Sequence, residues 1–571
     1  MNKTSIFDCT YDFVIVGGGS AGCVFASRLS ENSGHQVLLI EAGPDLSHQV
    51  ELPAISDPGL RTVFKSELYW PDFFVKGSAA TARAPEQTIP FLQARLLGGG
   101  SSVNGMHAQR GFPRDYEEWK SMGVDGWGWE DVLPYFIKLE ADADFNGPMH
   151  GKQGPIPICR MPRERWGALS LAVEAKMKSD GLSAQNDLNA EFTAGVGPVP
   201  LNISPGTRVS SARGYLSPAV RSRSNLKILT DTDVEKIALD NRRAVGVEIR
   251  TDQGVRRIAA REVIVSCGAV HSPALLQRSG IGPGATLQQM GISVQADRRG
   301  VGRNLSTHPS LSINAHLRHA ARPKTTTAPP CMAVARYSSR VPNCPPTDMI
   351  LNLWERVISP HVHDPLGRQI ADLMFILNKP FSVGEVTVNA KDPMGRPHVR
   401  FNMLADERDI ARMVEAFRYG MSILESPAVK PLINLSFLLK FTPLLFAYLQ
   451  DNSKGRRLSR IGAPLVGTSD RIGASLLRRW TMPLDTLPRD DGELAHLLRS
   501  VTLVAGHPSG TCRLGRHDDP DAVVDSQGRV IGVEGLRVTD ASIFPTLMAA
   551  GTNLPTMMAA EKVAHHIQRD A

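Results

Sequence analysis

No two of the seven cysteines stand in a CxxC pair, and their odd number and scatter from Cys9 to Cys512 exclude a disulfide framework and a cysteine-ligated zinc site. A reducing compartment fits such usage. Nor is there a strong charge of either sign, since 64 Lys and Arg against 57 Asp and Glu leave +7 over 571 residues. A balance this mild excludes a nucleic-acid binder built on charge, and no nucleic-acid partner is expected. The amino-terminal MNKTSIFDCT lacks the apolar core of a secretory signal, so the expected location is cytoplasmic. Hydrophobic residues at 42% and charged residues at 21% exclude disordered, collagen-like and coiled-coil chains. At ~150 residues per domain the length implies three or four domain-sized units, and Gly 50 with Pro 40 implies many turns.

What is present starts at Tyr11. The apolar run Phe13 to Val16 has the continuity of a strand buried on both faces. Gly17, Gly19 and Gly22 follow with GxGxxG spacing: the first for a tight turn, the second for close approach of backbone to a pyrophosphate, the third for packing helix on strand. A helix is predicted over Ser20 to Leu29, with the phosphate on its amino terminus beside Ser20 and Ala21. A second apolar run, Val37 to Ile40, ends in Glu41, 19 residues after Gly22, where an acid hydrogen-bonds an adenosine ribose. Gly18 to Gly22 also fits the GxSxG nucleophile elbow, but the short tail before it leaves no place for an oxyanion-hole strand, so Ser20 is not a nucleophile. The segment pairs with a second Gly/Ser-rich loop, ARLLGGGSSVNGMHAQRG (Ala94 to Gly111), rich in backbone donors.

These two loops, with GWGWEDVLPYFIKLE (Gly126 to Glu140), GAVHSPALLQRSGIG (Gly268 to Gly282), GVGRNLSTHP (Gly300 to Pro309), HPSGTCRLG (His507 to Gly515) and TNLPTMMAAEK (Thr552 to Lys562), resemble the glucose-methanol-choline (GMC) oxidoreductases, and stand in that family's order. The resemblance implies an α/β fold, α+β overall: a Rossmann-like FAD-binding domain with a discontinuous substrate domain of antiparallel sheet plus helices. The expected FAD domain takes residues 1–50, 86–150, 205–310 and 500–571, and the substrate domain 51–85, 151–204 and 311–499. By the same resemblance Gly99, Ser102, Asn104 and Gly105 line the flavin or pyrophosphate, Val234 the adenine, Asp540 and Ala541 the pyrophosphate or ribityl end, and Asn553 the flavin loop. Some members bind FAD covalently through a histidine just before the loop asparagine. Here that position is Val103, which implies non-covalent FAD.

Oxidising an alcohol requires removal of its hydroxyl proton, because an alkoxide expels hydride far more readily than a neutral alcohol. A base with a pKa near neutral is needed, which an imidazole supplies, and His507, held on a tight loop by Pro508 and Gly510, matches the family's catalytic histidine. The implied reaction takes the CH–OH group of a fairly hydrophobic alcohol to an aldehyde or ketone, with electrons passing through flavin to a quinone or other acceptor. Family members place a second His or Asn ten residues before the Glu of the terminal motif; counting back from Glu561 reaches Gly551, which has no side chain. Asn553, a water or a residue of the substrate domain takes that place, or the chemistry differs. The non-redox and light-driven relatives, hydroxynitrile lyases and fatty acid photodecarboxylases, therefore stay open as the alternative.

Two further features are distinctive. His361, His363 and Asp364 form an HxHD cluster on a Pro-flanked stretch with no further ligand, and no metal is expected there. Ile433 to Leu449 is almost wholly apolar, and Asp451 to Arg479 holds seven basic residues against two acids. Lys440 and Pro443 in its middle exclude a spanning helix. The pair is expected to form a substrate lid, a subunit contact or a peripheral membrane contact through 433–479.

Overall fold

The computed structural model describes all residues except 1–5, 8, 47–52, 61–64, 83–84, 326, 359–365, 441–452, 468 and 571, and the side chains at 453, 456, 459 and 463. The HxHD cluster therefore lies outside the described residues. The apolar run at the start forms β1 (Thr10–Val16), and the helix α1 (Ser20–Leu29) and strand β2 (Val37–Ile40) fall where the spacing predicts them. β1 is parallel to β2 on one side and to the strand Gly254–Val265 on the other, so both its faces need cover. Leu226–Leu229 extends the sheet beyond β2, and an antiparallel ribbon of Val234–Asp240 and Arg243–Thr251 closes the other edge.

The far end of the chain completes this domain. Leu536–Val538 lies parallel beside Gly254–Val265, and the terminal helix Asn553–Asp570 packs on α1. Fully buried Glu561 pins that helix: Arg28 donates to it at 2.7 Å, Lys138 lies 3.0 Å away, and the Tyr215 hydroxyl donates at 2.9 Å. An unpartnered carboxylate there would be costly, so the three donors hold the two termini in one register.

A second, mainly antiparallel sheet of nine strands is centred on Pro309–Leu317, Ile370–Leu377, Met349–Trp354 and Cys331–Tyr337. Period two along Pro309–Leu317 sends Leu311, Ile313, Ala315 and Leu317 into one apolar core with Ile410, Met413 and Phe417 of the helix Glu407–Leu424. That helix is capped by Asp406, whose side chain accepts from Arg408 N at 2.9 Å. The opposite face of the sheet, with Ser310 and Ser312, turns to the cavity described below. A four-stranded sheet joins Phe74–Ser78, Thr88–Pro90, Glu385–Thr387 and His398–Met403. Its hairpin Phe74–Ser78 with Thr88–Pro90 runs across the boundary expected at 85/86, because shared ladder hydrogen bonds hold the two strands in one unit.

The apolar stretch beginning at Ile433 enters the second sheet as the strand Ile433–Leu438, paired to Pro309–Leu317, with Phe437 and Leu438 buried. Among the described residues no helix is long and apolar enough to cross a membrane. The basic stretch becomes two helices, Ser453–Gly467 and Asp470–Trp480, whose Val466 and Leu477 bury against Phe437 and Ile370.

Candidate active site

A cavity of about 1090 Å³ runs from the carboxyl ends of β1 and β2 to the second sheet. Its floor is made by close contact of two glycine loops. Gly98 N donates to Gly18 O at 2.7 Å, and a Cβ at Gly99 would lie 2.8 Å from Gly19 Cα. Gly17 sits at φ +98°, and a Cβ there would stand 2.5 Å from Ser266 O, so only glycine makes the turn. Behind them, a Cβ on Gly22 would fall 1.9 Å from Gly17 O, so the helix can seat on the strand only without one. α1 begins at Gly19 with no side-chain cap, which leaves its first amides to meet a ligand.

Of the residues expected at the cofactor, Gly17, Gly19, Ser20, Ala21, Glu41, Gly99, Asn104, Gly105, Val234, Asp540, Ala541 and Asn553 all line this cavity, as does His507. Gly22 and Ser102 do not. Gly22 lies under the helix, and the Ser102 hydroxyl turns inward to donate to Leu97 O at 3.1 Å, so it shapes the loop. Glu41 accepts from Gly18 N at 2.7 Å and from Gly43 N at 2.9 Å, and burial pushes its carboxyl up to about 7. Asp540 also faces inward: it accepts from Ser272 Oγ at 2.6 Å, Gly268 N at 2.9 Å and Ser542 N at 2.7 Å, so it fixes the loops that border the cavity. Asn553 Oδ1 accepts from Ser20 Oγ at 2.7 Å, which ties the terminal helix to the start of α1 and occupies the Asn553 acceptor there. Val103 lines the cavity without any nucleophilic atom. A long dinucleotide fits these residues: glycines where a Cβ would clash, free helix amides in the middle and a carboxylate at the ribose end.

At the other end stands a histidine pair that sequence reasoning missed. His308 Nε2 lies 3.0 Å from Met548 O, and His308 Nδ1 lies 2.9 Å from His507 Nδ1. A carbonyl only accepts, so His308 carries its proton on Nε2 and presents a bare Nδ1. His507 must then donate from Nδ1, which leaves its Nε2 bare. That Nε2 faces the cavity, 3.3 Å from where a Cβ on Gly551 would stand. Burial pushes His507 down to about 4 and His308 well below the usual imidazole range, the latter also through the charge of His507. Both are neutral at pH 7, and the pair presents one unprotonated nitrogen to a substrate.

Opposite lies His107, also pushed down to about 4 by burial, its ring 6.1 Å from that of Trp354 at an interplanar angle of 22°. Asn378, fully buried at the end of its strand, has both amide atoms free of partners and lines the same cavity. His107 and His308 were within motifs quoted above, and their titratable rings were the available signal; nothing local marks Asn378. Of the clustered acids elsewhere, Glu140 and Asp142 beside His150 already have Arg110 and Arg160 as partners at 2.6 and 2.9 Å.

His308 is thus a positioning residue for His507. His308→Leu is expected to cut kcat about 10- to 100-fold with KM and flavin content little changed, because His507 can then leave its proton on Nε2. Steady-state kinetics beside the visible spectrum check this; equal losses of flavin and activity would mean a merely structural role.

A dinucleotide cradle joined to a base-bearing pocket under an antiparallel sheet is the architecture of an enzyme that brings a bound dinucleotide against a small molecule. Residues 11–310 and 380–560 match the models of the amino- and carboxy-terminal parts of GMC oxidoreductases, and the chain belongs to that family. It is an FAD-dependent oxidoreductase acting on CH–OH donors. It is 39% identical to 5-(hydroxymethyl)furfural oxidase of Methylovorus sp. (strain MP688), over 99% of this chain and 100% of that protein. It is 31% identical to the oxygen-dependent choline dehydrogenase of Photobacterium profundum, over 98% of this chain and 93% of that protein. Pyridoxine 4-oxidase from Mesorbium loti superposes with a TM-score of 0.78 at 28% identity, covering 98% of this chain and 99% of that one.

Proposed function

We propose that the protein oxidises an aromatic primary alcohol to its aldehyde, with His507 Nε2 taking the hydroxyl proton. The observation that carries this is the hydrogen-bonded order Met548 O, His308, His507, which leaves a bare nitrogen only where the cavity is. Bound FAD supplies the two-electron acceptor for the hydride of the carbinol carbon. The imidazole, neutral because it is buried, accepts the proton without first having to lose one. His107 and Trp354, nearly parallel, give the pocket a flat wall suited to a ring. The names of two relatives, an oxidase of hydroxymethylfurfural and one of pyridoxine, support a ring-bearing alcohol.

For the acceptor, the helix pair of the insertion favours a quinone at a membrane surface. Ile461, Leu465, Ile472 and Trp480 are each about half exposed there, beside exposed Lys454, Arg457, Arg460, Arg471, Arg478 and Arg479. An apolar, basic surface suits the interface of an anionic bilayer. Aldehyde formation is expected with a soluble quinone in place of oxygen, and sedimentation with vesicles rich in anionic lipid is expected to fall on raising salt. Oxygen consumption as fast as quinone reduction overturns the quinone reading, and no aldehyde with either acceptor overturns the function.

A further inference from the structure

Gly551 lines the cavity, and beyond its two chain neighbours a Cβ built on it would meet only His507, Nε2 at 3.3 Å and Cε1 at 3.7 Å. Its φ is not among the left-handed ones, so no turn requires a glycine there. The residue leaves open volume beside the one bare nitrogen of the histidine pair. An alcohol whose oxygen sits ~2.8 Å from that nitrogen places its carbinol carbon one C–O bond further on, at the edge of this volume. Besides its hydroxyl and the hydrogen that departs, the carbinol carbon carries two substituents. In a primary alcohol one of them is only hydrogen.

We infer that the space at Gly551 holds a second carbon substituent, so that the protein oxidises secondary aryl alcohols to ketones as well as primary ones to aldehydes. The inference rests on the alcohol-oxidising reading above. The step balances in the same way: the O–H proton goes to His507 Nε2, the C–H hydrogen leaves with its bonding pair to FAD, and the C=O bond forms. Beyond the two chain neighbours, the only atoms within 4 Å of the Cβ position are those of the His507 ring, so an alkyl group there packs against that ring. Gly551 is then what sets the tolerance for branching at the reacting carbon.

The test uses the holoenzyme, anaerobic, with a panel of primary aryl alcohols and their 1-methyl counterparts, benzyl alcohol and 1-phenylethanol among them. Both series are expected to bleach the flavin of the wild type. Gly551→Ala fills the space by one methyl and is expected to lower the secondary-to-primary ratio of reduction rates about 10- to 200-fold. Bleaching of the wild type by primary alcohols alone overturns the inference and leaves the parent reading standing. A Gly551→Ala variant that slows both series equally, through a displaced His507, overturns it too. Bleaching by neither series overturns the parent reading itself.

Discussion

His507→Ala is expected to slow anaerobic reduction of the flavin by an alcohol about 10²- to 10⁴-fold while leaving the spectrum of the oxidised flavin unchanged. The hydrogen-bond partner of the ring is His308, 2.9 Å away, so its loss removes a base and is expected to leave cofactor binding intact. The pH dependence carries the same sign. The base acts only when bare and is pushed down to about 4, so the wild-type rate should be level from neutral pH down and fall only as pH drops through about 4. In the unfolded chain the same ring takes up a proton near 6.5. Between those values the unfolded state binds more protons, so stability falls as pH is lowered from about 6.5 toward 4, and His107 adds to the slope in the same window. Stopped-flow reduction across pH, set beside thermal unfolding, separates the two effects. A His507→Ala variant reduced at the wild-type rate would remove His507 from the chemistry.

Gly22→Ala should strip the cofactor. The added methyl would fall 1.9 Å from a backbone carbonyl, that of Gly17, which cannot rotate away, so α1 has to lift from β1 and β2. Such overpacking costs typically ~1–3 kcal/mol, here taken from the seat of the helix whose amides meet the pyrophosphate, and weakens FAD binding about 5- to 150-fold. The ratio of flavin to protein absorbance after gel filtration measures it. A full complement of flavin in Gly22→Ala would mean that helix seating and cofactor binding are independent.

The parts of the site legible in the sequence are those where backbone geometry dictates a residue within a short stretch. Gly17, Gly19, Gly22 and Glu41 are such positions, since turn, approach, packing and ribose contact all fall within one βαβ unit. His507 was legible because its loop is a contiguous motif. The direction of the Ser102 hydroxyl was not legible for a local reason: it lies in a single 3₁₀ turn, Gly99–Ser102, whose end residue points back to Leu97 O. His308 was not legible as a partner, because 199 residues separate it from His507 and only sheet pairing brings them together. The apolar run from Ile433 is equally silent on its own: Phe437 and Leu438 bury because Pro309–Leu317 lies alongside, a contact no periodicity announces.

The most direct measurement is the visible spectrum of the purified holoenzyme, kept anaerobic and dark, before and after addition of an aromatic primary alcohol. The account predicts bleaching of the oxidised flavin bands with one aldehyde formed per flavin, and both changes about 10²- to 10⁴-fold slower in His507→Ala. A flavin that stays oxidised with every alcohol, while the cavity and its histidine pair are intact, would contradict it and return the chain to the non-redox or light-driven branch of its fold.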